Sequence, residues 1–237
     1  GPEQAKKIIT AAHKAPYGKG SRTVTDTRVR STWEIDASQI AFRSTGWDKC
    51  IAQLVQKVKE ELGIEERQVT ASLYKLLVYE EGDFFLPHKD SEKEPGMFGT
   101  LVVGLPAAHT GGEMAIRFGG EEKLIDVSSK KGHSDITYTA FFSDCEHELK
   151  PITSGYRICL VYNLINSLAA GQKDFPQKNN YINQLAALFH DMEGKFSGNP
   201  IAVLLDHQYT PANFSSSNLK LHDRPRAEAL FMAADSA

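Results

Sequence analysis

Hydrophobic residues recur along the chain with two periods, and the change comes at Gly63. Ile51, Leu54, Val55, Val58 and Leu62 are spaced by three and four, so they share one face of a helix predicted over residues 47–62, with Gly63 as its stop. Beyond Gly63, short apolar runs rich in Val, Ile, Leu, Phe and Tyr are separated by turns of Gly, Pro, Asp and Ser. These runs predict strands at 70–80, 99–105, 112–118, 123–127, 136–143 and 155–165, a spacing that fits a sandwich or barrel. Upstream, residues 3–14 have weak helical character ending at Pro16-Tyr17-Gly18, and 22–35 read as a short strand or extended arm. Downstream come a polar linker at 167–178, a helix at 179–193, a buried strand at 200–206 and a helical tail from Arg224. The expected class is mainly β with flanking helices (α+β). Its parts are a support and arm over 1–69, a β core over 70–165, and an extension over 166–237 belonging to the same domain.

With 237 residues the chain can bury one sizeable core. A formal net charge of -3 gives no basic field for nucleic acid or an anionic membrane, and no apolar run approaches the ~20 residues of a membrane span. Neither is an expected partner. Cys50, Cys145 and Cys159 are scattered and odd in number. That speaks for a reducing, intracellular compartment, cytoplasm or nucleus, over a disulfide framework.

Candidate chemistry concentrates between Leu86 and Arg157. His88 and Asp90 stand two apart at the end of a strand, where period-2 geometry turns both to one face and Lys89 to the other. His147 follows the strand ending at Phe142, and Arg157 lies ten residues on, where the next strand begins. Two imidazoles and a carboxylate on one face of an octahedral ion form the 2-His-1-carboxylate set of non-heme Fe(II) oxygenases, which leaves positions open for chemistry. An arginine beyond the last ligand can hold the far carboxylate of a dicarboxylate bidentately. His88 and Asp90 alone are a weak signal, because such pairs are more often surface or core-satisfied groups. The four residues in order on predicted strands are a strong one.

Other residues read more plainly. Cys145 lies two residues from His147, but no third group completes a Cys-His nucleophile. His109 and His133 fall in predicted loops and are expected to be solvated. Phe84, Phe85, Phe141 and Phe142 are expected in the core or a pocket wall, and Trp33 is expected to pack the arm onto the barrel. Lys130-Lys131 is too short a basic run to argue for nucleic acid.

The stretch from Tyr79 to Asp90 fits Tyr-x-x-Gly-x-x-aromatic-x-x-His-x-Asp, with Gly82, Phe85 and His88 in place. Gly111-Gly112-Glu113 follows, with Thr100 eleven residues before it, and then His147 and Arg157. In these features residues 70–165 resemble the iron- and 2-oxoglutarate-dependent dioxygenases, specifically the prolyl 4-hydroxylase-like branch. The resemblance implies a double-stranded β-helix, or jelly roll. It implies Fe(II) on His88, Asp90 and His147, 2-oxoglutarate clamped by Arg157, and Tyr79 and Thr100 as further contacts. O2 is the other cosubstrate, and ascorbate a stimulant. Three positions depart from the branch. Arg157 stands where enzymes acting on collagen-like chains usually carry lysine, Gly104 where several relatives have a cosubstrate-binding tyrosine, and Met114 where threonine is usual.

The resemblance thus implies a hydroxylase acting on a protein side chain, with prolyl residues among the candidates, releasing succinate and CO2. Asp90 speaks for hydroxylation over halogenation, since related halogenases lack this carboxylate. The rivals are the same chemistry on a small molecule or nucleobase, and a non-catalytic metal-binding jelly roll serving as a sensor or interaction module. The polar loop 91–97 and the arm around residues 19–34 are expected to flank a groove for an extended polypeptide, with the loop as a mobile lid.

Overall fold

The structure, a computed structural model, describes residues 1–19, 22–65, 67–128, 136–166, 180–192 and 202–236. The chain divides into two compact units, Gly1–Ser167 and Leu168–Ala237. The first opens with α1 (Pro2–Thr10), β1 (His13–Lys14), β2 (Tyr17–Lys19), β3 (Arg22–Val24), β4 (Arg30–Ser31), β5 (Trp33–Asp36) and α2 (Trp47–Glu61). Strands β6 (Val69–Tyr79), β7 (Phe84–His88), β8 (Met97–Gly104), β9 (His109–Gly111) and β10 (Met114–Phe118) follow. The unit closes with β11 (Glu121–Ile125), β12 (Thr137–Phe142), β13 (Glu146–Leu149), β14 (Ile152–Gly155) and β15 (Arg157–Asn166).

Two large antiparallel sheets and two two-stranded ribbons, β9-β14 and β2-β3, form from these strands. The larger runs β1-β5-β6-β15-β8-β12 and the smaller β11-β10-β13-β7-β4. This is the double-stranded β-helix. The larger sheet is covered on both faces, which is why its strands read as nearly continuous apolar runs. On one side α2, through Ile51, Val55 and Val58, packs against the sheet at β6. Leu101, Val103, Leu160, Leu164 and Val78 are at most 1% exposed, each contributing about 1.5–3 kcal/mol by burial. The other side of the sheet faces a cavity.

The six predicted strands correspond to β6, β8, β10, β11, β12 and β15, and the predicted helix to α2. The extended arm splits into β4, on the edge of the smaller sheet, and β5, in the larger. Residues 30–36 therefore bind the two sheets together. Trp33 packs as expected, with its indole N–H on Glu80 Oε2 at 2.7 Å and Lys14 Nζ 3.9 Å above its ring.

Two expectations are corrected. His109 is not a solvated loop residue. It begins β9, is 7% exposed, and its Nδ1 donates to Ala107 O at 3.0 Å. Burial pushes its pKa down. The predicted strand at 200–206 is not a strand across its described part, 202–206. Val203 and Leu204 are 44% and 86% exposed, and the Asp206 N–H donates to a carboxylate at 2.7 Å in place of a ladder partner. Apolar composition there produced a strand signal without a sheet to receive it. The linker at 167–178, His133 and Lys130-Lys131 lie outside the described residues.

The second unit contains α3 (Asn180–Met192) and α4 (Asp223–Ala234), which correspond to the predicted helix and tail. They pack through Ile182, Ala186 and Ala233. Asp223 lies fully buried at the start of α4.

Candidate metal and anion site

β7 and β13 are neighbours in the smaller sheet, and the register makes His88 the cross-strand partner of His147. Their ring centroids are 4.2 Å apart. Asp90 follows two residues after His88, and its N–H donates to Ser143 O at 3.1 Å, which ties the loop to the turn before β13. One ligand atom from each of His88, Asp90 and His147 lies within 4.8 Å of the other two. His147 Nε2 stands 3.9 Å from Asp90 Oδ2.

The hydrogen bonds around these groups decide what they offer. His88 Nδ1 donates to Leu86 O at 2.9 Å, and His147 Nδ1 to Cys145 O at 3.1 Å. A carbonyl only accepts, so each ring carries its proton on Nδ1 and leaves the Nε2 lone pair free. Burial, followed by the neighbouring His147, pushes the His88 pKa down to about 4, so this imidazole is neutral at pH 7. Phe85 stacks on His88 with centroids 3.5 Å apart, and Phe141 lies 4.3 Å from His147, fixing both ring planes. Thr100 Oγ1 donates to Asp90 Oδ2 at 2.5 Å and so orients the carboxylate. Two oriented imidazoles and a held carboxylate are the donor set that an octahedral divalent ion of the iron type takes. It is the carbonyl of Cys145, through its bond to His147, that serves this site.

Arg157 opens β15, pairs in register with Tyr79, and is 5% exposed. Its Nη1 donates to Cys159 Sγ at 3.2 Å, and its guanidinium lies 5.5 Å from the Tyr79 ring centroid. Among the described residues no carboxylate pairs with it. A buried cation without a counter-charge is costly, and an anion entering beside it removes that cost. Tyr79 is 3% exposed and burial pushes its pKa up, so its hydroxyl keeps its proton.

All of these groups line one cavity of about 430 Å³. His88, Asp90, His147, Arg157, Tyr79 and Thr100 are thus brought together. Two of the three departures from the branch, Arg157 and Met114, line this cavity. The third, Gly104, lies in β8 where a Cβ would sit 2.3 Å from Thr137 Oγ1 of the paired strand, so a larger residue there requires the Thr137 side chain to move. Met114, 5% exposed, is part of the cavity wall.

Sequence reasoning passed over several lining residues. Arg30 and Glu34 come from the arm, Lys75 from β6 and Asn163 from β15. Lys75 Nζ donates to Glu34 Oε2 at 2.6 Å, and burial pushes its pKa down. A signal existed for two of the four. Lys75 interrupts an apolar run, and Asn163 shares the period-2 row of Arg157, Cys159 and Val161.

No protein-family model and no curated protein matches the sequence. Solved structures similar to this one include a prolyl hydroxylase in complex with a hypoxia inducible factor oxygen degradation domain peptide fragment from Trichoplax adhaerens. That likeness has 18% identity and a TM-score of 0.48 over 69% of this chain and 76% of that one. A Pseudomonas putida prolyl-4-hydroxylase is similar at 17% identity and a TM-score of 0.45, over 70% of this chain and 83% of that one. A 2OG-Fe(II) oxygenase family oxidoreductase from Burkholderia pseudomallei is similar at 13% identity and a TM-score of 0.43, over 69% and 78%.

Proposed function

We propose that the protein is an Fe(II)- and 2-oxoglutarate-dependent dioxygenase that hydroxylates a protein side chain, with prolyl residues as the first class to test. One observation carries this reading. A three-ligand metal set and a buried arginine without a carboxylate partner line the same cavity. His88, Asp90 and His147 would hold the ion, with each imidazole turned by its Nδ1 hydrogen bond to present Nε2. A bound ferrous ion supplies the redox chemistry by which substrate, O2 and 2-oxoglutarate become hydroxylated product, succinate and CO2.

The chain's own residues do the rest. Arg157 takes the distal carboxylate, and Tyr79, as a protonated hydroxyl beside it, is placed to donate to the same group. Thr100 keeps Asp90 in one orientation. Phe85 and Phe141 hold the imidazole planes and keep water from their outer faces.

The test is succinate formation from 2-oxoglutarate in the presence of Fe(II), O2 and ascorbate, with and without a library of capped, proline-containing peptides. The expected result is slow succinate release alone, accelerated by peptides that gain one oxygen atom by mass. No succinate under either condition, from protein shown to bind Mn(II), would sink the catalytic reading and leave a metal-binding module.

A further inference from the structure

Ser72, Asn163 and Thr100 form a polar row across three adjacent strands of an otherwise apolar sheet. Asn163 in β15 pairs with Ser72 of β6 on one side and Thr100 of β8 on the other. Antiparallel partners project to the same face, so the three side chains stand side by side. Thr100 is spent on Asp90 at 2.5 Å. Ser72 Oγ donates to Glu94 Oε2 at 3.2 Å, and Asn163 Nδ2 donates to Glu94 Oε1 at 2.5 Å.

Glu94 thus decides which way the Asn163 amide faces. Its carboxylate only accepts, so the amide nitrogen must point to it and the amide oxygen must turn away. Asn163 lines the cavity, is 1% exposed, and its Oδ1 is buried without a hydrogen-bond partner among the described residues. An unpaired buried acceptor costs about 1–3 kcal/mol, which a ligand supplying a donor recovers. Glu94 itself belongs to the loop expected to be a mobile lid. The structure ties that loop down, with Met97 N–H on Glu94 O at 3.0 Å, Asn166 N–H on Gly96 O at 3.0 Å and Gly96 N–H on Glu92 Oε1 at 3.2 Å.

We propose that Asn163 is a specificity-determining residue, held by Glu94, whose Oδ1 accepts a hydrogen bond from an N–H carried by the substrate next to the carbon that is oxidised. The inference rests on the hydroxylase reading and deepens it. The substrate class becomes one that presents a secondary-amide N–H there, which in a polypeptide comes from the backbone of a residue flanking the oxidised one, since a prolyl nitrogen carries no hydrogen.

The test uses two small probes on the full chain, N-methylacetamide and N,N-dimethylacetamide, which differ in a single N–H. Each is titrated while the side-chain amide signals are followed by NMR, with Asn163→Leu identifying the Asn163 signal. In the wild type, N-methylacetamide should bind about threefold to tenfold more tightly, the worth of one neutral hydrogen bond. Asn163→Leu, close to isosteric, should bring the ratio to about one, read from backbone signals near the cavity. Glu94→Ala should lower the ratio towards one because the amide is then free to turn, and it provides the same test should the leucine variant fail to fold. A ratio of one in the wild type overturns the inference, as does a ratio that survives in both variants. Mn(II) binding, followed separately by electron paramagnetic resonance, reports on the metal site. A wild-type ratio of one with Mn(II) still bound refutes this inference and leaves the hydroxylase reading standing.

Discussion

Asp223, in the second unit, is 0% exposed, and its carboxylate accepts from the backbone N–H of Asp206 at 2.7 Å, that of His207 at 2.9 Å and the Tyr209 hydroxyl at 2.9 Å. Asp90, in the first unit, has a side chain 24% exposed and one hydrogen bond, from Thr100. Two residues of one type therefore do opposite work. The saturated carboxylate gathers an irregular segment onto a helix start and has nothing left to offer a ligand. The undersaturated one keeps coordination capacity, faces a cavity and has two imidazoles beside it. Arg157 is its cationic counterpart, since among the described residues it too is short of partners, and it is buried besides. Incomplete satisfaction at a place the fold has built with care marks function more sharply than burial or charge does.

The comparison is broken most directly at Asp90. Asp90→Ala should abolish Fe(II)-dependent succinate formation, a loss of at least roughly a thousandfold, while the melting temperature hardly moves, since a single hydrogen bond at the cavity wall is lost. His88→Ala and His147→Ala should also abolish turnover. Near-normal turnover with iron bound in any of the three would show a misassigned ligand.

Arg157→Ala should weaken 2-oxoglutarate binding by roughly 2–5 kcal/mol, with Arg157→Lys recovering part of it. Titration in the presence of Mn(II) measures this, and equal affinities across the three proteins would place the clamp elsewhere.

Asp223→Ala should do the converse of Asp90→Ala. It strands two backbone N–H groups and a tyrosine hydroxyl, at a cost of roughly 2–5 kcal/mol to the second unit. Denaturant unfolding followed by helical circular dichroism reads the cost, while Mn(II) affinity should stay at the wild-type value.

Thr100→Val keeps shape and removes the hydroxyl that orients Asp90. Metal affinity should fall about tenfold to a hundredfold with little change in stability. An unchanged affinity would make Thr100 a wall residue only.

The smallest effect is in pH. Burial pushes the Asp223 carboxyl up, but the N–H groups of Asp206 and His207 and the Tyr209 hydroxyl outweigh it and hold the pKa below the ordinary 3.8. Its contribution to stability is therefore complete above the unfolded value and lost as pH falls through the lower folded one. Below about pH 4 the wild type should lose helical stability more steeply than Asp223→Asn. Parallel slopes would remove Asp223 from the account.

Of these two carboxylates the sequence revealed one. Asp90 was legible because the chemistry fixes its spacing to His88, and strand periodicity puts both on one face. Asp223 carried no such sign, since its donors lie 14 to 17 residues upstream in a segment that reads as a strand. The long strands β6, β8, β12 and β15 were legible from composition, and α2 from its period. The strands β4, β9, β13 and β14, of two to four residues, were not, because so short a run has no detectable alternation. The same holds inside the cavity. His147 and Arg157 stood out by spacing, whereas Arg30 and Glu34 enter it only because the arm between β4 and β5 crosses from one sheet to the other, a tertiary fact with no local signature.

The position of β15 has a bearing on how the protein is made. It is the last strand of its unit in the chain, yet it lies inside the larger sheet, between β6 and β8. Until residues 157–166 have left the ribosome, that sheet exists only as two unjoined pieces, β1-β5-β6 and β8-β12. Completion waits on pairings that span some eighty residues, such as Arg157 with Tyr79, so folding of this unit is a late, slow event of high contact order. Arg157 and Asn163 ride on that same strand. A nascent or truncated chain can therefore bring His88 and Asp90 together while Arg157, the group proposed to hold the cosubstrate, arrives only with the strand that seals the barrel.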